Sequence, residues 1–126
     1  VNVTRKGASG MASIRAMMSA LRGSPPSQVG DDEVVAVADY EARIRTDLQS
    51  RRTSALSLPE SNVLAYELAS GSRIIARPSG TEPKAKFYFD VLEPVPEKEP
   101  VSQARERAAA RLERLKDAFQ SIVSRL

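Results

Sequence analysis

The segment 84–91 has the strictest pattern in the chain, Lys-Ala-Lys-Phe-Tyr-Phe-Asp-Val, with an apolar side chain at every second position. Successive side chains of a β-strand point to opposite faces, so this alternation predicts a strand with one buried face. The inward positions are expected to be Ala85, Phe87, Phe89 and Val91, and the outward positions Lys84, Lys86, Tyr88 and Asp90. The chain must therefore build a sheet that is covered on one side.

Three further segments have strand character. Residues 33–40 are rich in valine, and residues 63–69 alternate with Leu64, Tyr66 and Leu68 on one face. Ser70-Gly71-Ser72 then predicts a tight hairpin connection into a strand over 73–77. Residues 43–61 have no sustained periodicity, which predicts a long loop or irregular excursion.

Two amphipathic helices flank these strands. The first is predicted over 9–22, with Ser9 as its N-cap and with Gly23 and Pro25-Pro26 as its end. Its apolar stripe comprises Met11, Ile14, Met18 and Leu21. A second, long helix follows the Pro/Glu linker 92–100, and its stripe comprises Ala104, Ala108, Leu112, Leu115, Phe119, Ile122 and Leu126.

These elements predict an α+β fold, a four-stranded antiparallel sheet with helices packed on one face. A length of 126 residues allows one domain. We expect residues 1–30 to form a lead-in helix and connector, and residues 31–126 to form the domain proper. The first residue is valine, and we expect the chain to begin within a longer protein.

Composition narrows the functional classes. No apolar run approaches the ~18–20 residues that a membrane-spanning helix requires, so no membrane partner is expected. The chain has no cysteine, which excludes a disulfide framework and fits a cytoplasmic protein. The net charge is +3, but residues 101–126 hold six basic and three acidic side chains, leaving 13 of each in residues 1–100. The excess therefore lies on the last helix, which is typical of a solvated face rather than a phosphate track.

One stretch combines two cations, two hydroxyls, a glycine and two prolines in eight residues. It is Arg-Pro-Ser-Gly-Thr-Glu-Pro-Lys, residues 77–84, between the third and fourth predicted strands. Its prolines and glycine predict a stiff loop whose backbone amides can converge on an anion. The donors that would surround such an anion are Arg77, Ser79, Gly80, Thr81 and Lys84. Glu82 has a structural role in this interpretation, since it repels a dianion unless it points away or pairs with a neighbouring cation. The alternative is ordinary hairpin-turn chemistry.

The same stretch resembles the sugar-phosphate-binding loop of the α-D-phosphohexomutases, the phosphoglucomutase/phosphomannomutase family. Flanking segments resemble the end of that family's chain as well. They comprise Gly7-x-x-Gly10, Ile14, Met18, Leu21-Arg22, Pro25-Pro26, Val29-Gly30, Val34-Val35, Asp39-Tyr40 and Leu58-Pro59-x-Ser61-Asn62-Val63-Leu64-x-Tyr66-x-Leu68. The resemblance covers residues 7–91.

The resemblance implies the C-terminal domain of a reversible mutase, an intramolecular phosphotransferase of the isomerase class. Such enzymes shift phosphate between O1 and O6 of a hexose through a hexose 1,6-bisphosphate intermediate, with Mg²⁺. The last domain, TATA-binding-protein-like in fold, would bind the non-reacting phosphate of glucose or mannose 1- or 6-phosphate. Its contacts would be Arg77, Ser79, Gly80 and Thr81, with Lys84 as a fifth. Its partners would be the three other domains of the parent chain.

The family's catalytic and metal motifs are not in this chain. The phosphoserine motif has a histidine, and the chain has none. The metal loop D-G-D-x-D-R is also missing, because Asp31-Asp32-Glu33 has the wrong spacing. We therefore expect a fragment with no catalytic residue, no metal ligand and no cofactor of its own.

Two other functions are open at this stage. Lys84, Lys86 and Tyr88 would lie on the exposed sheet face, where basic and aromatic side chains bind RNA or DNA. A single exposed aromatic is fewer than such sheets usually offer, so no nucleic-acid partner is expected. The other alternative to phosphate binding is a purely structural or interaction domain.

Overall fold

The computed structural model describes residues 1–5, 7 and 9–126 of the chain. Within these residues the elements in chain order are β1 (Asn2–Thr4), α1 (Gly10–Gly23), β2 (Gln28–Val29), β3 (Asp32–Asp39), β4 (Ile44–Asp47), β5 (Thr53–Ala55), β6 (Leu64–Leu68), β7 (Arg73–Pro78), β8 (Lys84–Asp90) and α2 (Val101–Ser124). The predicted lead-in over 1–30 includes residues 6 and 8, which lie outside the described residues. Its boundary at residue 30 stays a prediction.

The strands form one antiparallel sheet in the order β1-β8-β7-β6-β3-β4-β5, and β2 pairs with β3 beside this path. The α+β class is confirmed, but the prediction of four strands is wrong, because the described residues form eight. The four predicted strands are β3, β6, β7 and β8. The other four have two to four residues each, too few for a recognisable alternation. A TATA-binding-protein-like topology stays a prediction.

The predicted loop over 43–61 is also wrong in part, because it contains the β4–β5 hairpin. The Asp47 side chain builds the turn by accepting hydrogen bonds from the amides of Gln49, at 3.0 Å, and Ser50, at 2.9 Å. These bonds to backbone amides hold the pKa of the Asp47 carboxyl below its usual range. The whole of β5 is exposed, so no buried face leaves a hydrophobic period in this part of the sequence.

Both helices pack on the same face of the sheet. Ile74 of β7 lies opposite Tyr66 of β6 and Phe89 of β8, which puts these three side chains on that inner face. Phe119 of α2 packs against the aromatic rings of this face. Its ring centroid is 6.1 Å from that of Tyr66, 6.0 Å from that of Phe89 and 5.0 Å from that of Phe87. Edge-to-face contacts of this kind add to the hydrophobic burial. The predicted placement of helices on one face agrees with this core.

Helix α1 buries a stripe slightly different from the predicted one. Met17 is buried together with Ile14, Met18 and Leu21, whereas Met11 is 37% exposed. Ser9 is the N-cap residue, as predicted, but its side chain makes no capping hydrogen bond to the helix. The four buried residues of α1 belong to the same hydrophobic cluster as the inner face of the sheet and α2.

A hydrogen bond through the core ties α1 to the sheet. The hydroxyl of the fully buried Tyr66 donates to the carbonyl of Leu21 at 2.8 Å, near the end of α1. Burial raises the pKa of Tyr66 above its ordinary value. The bond satisfies both a buried hydroxyl and a carbonyl in the last turn of the helix.

We expect Tyr66→Phe to lower the free energy of unfolding by about 1 kcal/mol, because it removes this hydrogen bond and leaves the Leu21 carbonyl without its donor. Urea denaturation followed by circular dichroism measures the change. Tyr88→Phe is the matched control, since Tyr88 is 46% exposed on the opposite sheet face and its hydroxyl should contribute little. Equal effects of the two substitutions would contradict the prediction.

Acidic residues of the linker hold α2 through two arginines. Glu93 accepts hydrogen bonds from Nε of Arg107 and Nε of Arg111, each at 2.9 Å, and Arg107 also binds Glu99. The bond from Arg107 is the main cause that lowers the pKa values of Glu93 and Glu99. The predicted linker is thus attached to the helix that follows it.

These two lowered pKa values predict an acid-sensitive contact. A carboxyl with a lower pKa in the folded state stabilises the fold above its unfolded pKa of about 4.3, and that contribution disappears as the pH falls through the folded value. We expect Glu93→Gln to be less stable than the unaltered chain at pH 7, and the difference to shrink as the pH falls below about 4.3. Urea midpoints between pH 7 and pH 3 test this, and a difference independent of pH would contradict it.

Candidate functional site

The loop over 77–84 is the hairpin connection between β7 and β8. Pro78 at the end of β7 lies opposite Ala85 of β8, which continues the ladder up to the loop. The amide of Ser79 then donates to the carbonyl of Lys84 at 2.9 Å, and the amide of Lys84 donates to the carbonyl of Glu82 at 2.7 Å. These bonds close a short loop at one end of the sheet.

The tip of this loop presents consecutive backbone donors. Gly80 has a φ of +84°, the left-handed region in which glycine is preferred. Among the described residues, the amides of Gly80, Thr81 and Glu82 donate to no protein acceptor. Successive amides in a turn with a left-handed residue can form a concave anion-binding surface. These three amides are therefore available as donors, and the binding of an anion by them stays a prediction.

The strand register collects the basic side chains beside the tip. Arg77 lies directly opposite Lys86, and Lys84 is two positions from Lys86 along β8, so these three side chains are on the sheet face away from the helices. The amide of Ser79 bonds to the backbone of Lys84. Nζ of Lys84 is 3.5 Å from a carboxylate oxygen of Glu82, so this acid pairs with a cation of its own loop. The five predicted contacts thus all lie in this loop or at its ends. Arg77 and Lys84 are at the ends of β7 and β8, Ser79 follows β7, and Gly80 and Thr81 are at the exposed tip.

The cations on this face differ in their partners. Arg45 binds Glu67, with 2.6 Å between Nε and Oε2, and Arg73 binds Asp90 at 2.8 Å. Over the part of the chain that the structure describes, Arg77 forms no ion pair, and it faces the like charge of Lys86. Like charges directly opposite each other in a sheet are destabilising. The loop end of this face therefore carries an excess of positive charge that an anion would neutralise.

Lys86 was not predicted as part of the anion site. The sequence predicted it on the outward face of the last strand and, with Lys84 and Tyr88, on the alternative nucleic-acid surface. The alternation of β8 puts these three side chains on one face, and Tyr88 is 46% exposed. Counting the hairpin register outward from the loop would have placed Lys86 opposite Arg77.

Three polar residues of the flanking segments that resemble the phosphohexomutases form a hydrogen-bond network. Nε of Arg22 donates to Oδ2 of Asp39 at 3.1 Å, and its Nη2 donates to Oδ1 of Asn62 at 2.7 Å. The second oxygen of Asp39 accepts the amide of Glu41 at 3.0 Å. This network joins the end of α1 to the ends of β3 and β6. Sequence reasoning identified these residues without finding their contact.

The described residues contain no group of three or more histidine, cysteine or acidic side chains that could hold a metal ion. Asp32, from the acidic cluster 31–33, has its carboxylate bound by the hydroxyl and the amide of Ser70, at 2.5 and 3.1 Å. These hydrogen bonds join the β2–β3 hairpin to the β6–β7 hairpin and occupy both oxygens of the Asp32 carboxylate. Separately, no helix in the described part of the chain is long and apolar enough to span a membrane.

The sequence is similar to parts of several longer proteins. The chain is 42% identical over 82 residues to a probable phosphomannomutase of Haemophilus influenzae, a match that covers 65% of this chain and 14% of that protein. The chain is homologous to a segment of the phosphohexomutases. A phosphoglucomutase of Staphylococcus epidermidis is 39% identical over 96 residues, covering 71% of this chain and 17% of the relative. One from Staphylococcus haemolyticus is 40% identical over 86 residues, covering 68% and 16%.

The matched segment therefore covers most of this chain but only a small part of each relative. The chain spans between 14% and 17% of the length of these relatives. No protein-family model matches the chain, and no solved structure matches it. The resemblance inferred from the motifs is confirmed at the level of sequence similarity.

Proposed function

We propose that this chain is the C-terminal domain of a phosphoglucomutase or phosphomannomutase and that its 77–84 loop binds the non-reacting phosphate of a hexose phosphate. One observation carries the proposal. The loop that resembles the family's phosphate loop has three consecutive amides without protein acceptors beside Arg77, within the described residues. The similarity to enzymes named phosphoglucomutase and phosphomannomutase supports it.

The donors of the loop suit a phosphate monoester. The guanidinium of Arg77 can bind two phosphate oxygens at once, and the Lys84 ammonium supplies a compact point charge. The hydroxyls of Ser79 and Thr81 and the amide of Gly80 add short donors. Lys86, opposite Arg77, adds a further cation on the same face.

Binding of this kind would serve the reaction without performing it. Energy gained at a phosphate that does not react can orient the sugar and favour a closed arrangement of domains. The proposed parent enzyme moves phosphate between O1 and O6 of glucose or mannose through a hexose 1,6-bisphosphate. In this proposal the phosphoserine and the Mg²⁺ ligands belong to the three other domains, and the location is cytoplasmic.

The first test is a titration of the chain with glucose 1-phosphate or inorganic phosphate, followed by NMR of the backbone amides. We expect shifts in residues 77–84 with a dissociation constant on the order of millimolar, or about 4 kcal/mol, because one loop acts without partner domains. Arg77→Ala should abolish them, because it removes the only bidentate donor of the loop.

Arg73→Ala is the matched control, since Arg73 lies on the same face of the same strand but is paired with Asp90. It should leave the phosphate shifts in place. Persistence of the shifts in Arg77→Ala would contradict the assignment of the loop. A response of Lys86 and Tyr88 to an oligonucleotide, lost with added salt and without any response to phosphate, would favour the nucleic-acid alternative. If neither phosphate nor the oligonucleotide changes the spectrum, the result would favour the purely structural or interaction domain.

A further inference from the structure

We propose that Gly10, the first residue of α1, is a positioning residue that holds the 77–84 loop in its anion-binding shape. The inference rests on the proposed function of that loop. A Cβ atom at Gly10 would lie 2.5 Å from the carbonyl oxygen of Arg5 and 2.8 Å from Cβ of Pro83. Both distances are well inside van der Waals contact, so only glycine lets α1 begin against the loop.

Conformational freedom does not explain this glycine. Gly10 is absent from the glycines with positive φ, and it is the buried first residue of α1, so it does not have the left-handed backbone that favours glycine. Gly23 at the other end of α1 offers a direct comparison, because a Cβ there would meet no atom within 4 Å. The requirement at Gly10 is therefore one of space against Arg5 and Pro83.

Arg5 also contacts Pro83 directly. Its amide donates to the carbonyl of Pro83 at 2.8 Å, and the preceding Thr4 pairs with Lys84 at the start of β8. Arg5 and Gly10 thus both lie against the last part of the loop.

Pro83 in turn controls the loop tip. A proline restricts the preceding residue, Glu82, to extended conformations, and the Glu82 amide is one of the three that have no protein acceptor among the described residues. The Glu82 carbonyl also accepts the Lys84 amide at 2.7 Å. A displacement of Pro83 would therefore move both a donor of the proposed anion site and the residue that closes the loop.

The test compares Gly10→Ala with Gly23→Ala, which add the same methyl group at opposite ends of one helix. We expect Gly10→Ala to shift the amides of Gly80 and Thr81 without ligand and to weaken phosphate binding roughly fivefold or more, because small displacements of binding groups are costly. Gly23→Ala should bind phosphate like the unaltered chain. The titration is read at a temperature where each variant is folded, so a loss of stability alone does not change the result.

A measurement on the unaltered chain tests the same coupling without relying on a variant that folds. If the contact with Arg5 favours the binding shape, then phosphate must strengthen that contact in return. We expect saturating inorganic phosphate to slow hydrogen exchange of the Arg5 amide at least twofold relative to its exchange without ligand. Exchange that is unchanged, while residues 77–84 shift, would overturn the positioning role.

The outcomes separate this inference from the function on which it rests. If the unaltered chain shows no phosphate shifts, the proposed function fails and the positioning role fails with it. If the unaltered chain and Gly10→Ala bind phosphate equally, the positioning role alone is wrong. Weaker binding by Gly10→Ala, normal binding by Gly23→Ala and slowed exchange at Arg5 would together establish it.

Discussion

The pairing of β7 with β8 runs over six positions, from Arg73 opposite Asp90 to Pro78 opposite Ala85, and the rest of the structure depends on its register. Because the side chains alternate, this one register sends Ile74 and Phe87 towards the helices and sends Arg77 towards the other face. A slip by one residue would exchange the two sets. The core and the candidate site are therefore two sides of the same ladder.

That ladder also explains why charge collects at one end of the sheet. Along the face away from the helices, Arg73 has Asp90 as its partner and Arg45 has Glu67. At the loop, Arg77 instead faces Lys86, which is a local cost in the absence of a ligand. Local departures from good pairing are expected where a protein binds something, because the binding group supplies the missing partner.

The long strands and both helices could be predicted because each buries one face, and burial leaves a period in the sequence. The short strands could not, since β5 is exposed throughout and β1 and β2 have too few residues to show a period. The proposed loop donors could be named from the sequence because they are consecutive in the chain. The positions of Lys86 and Gly10 beside that loop could not, because one depends on strand register and the other on the approach of α1.

By itself, the sequence determined the α+β class, the inner face of β6 to β8, the donor chemistry of residues 77–84 and the resemblance to phosphohexomutases. Those properties are local, arising from side-chain period and from neighbouring residues. The tertiary structure alone decided the eight-stranded order, the like-charged pair of Arg77 and Lys86, and the contact of Gly10 with Pro83. These depend on residues distant in the chain, whose separation in space follows from packing as a whole and leaves no pattern in any single segment.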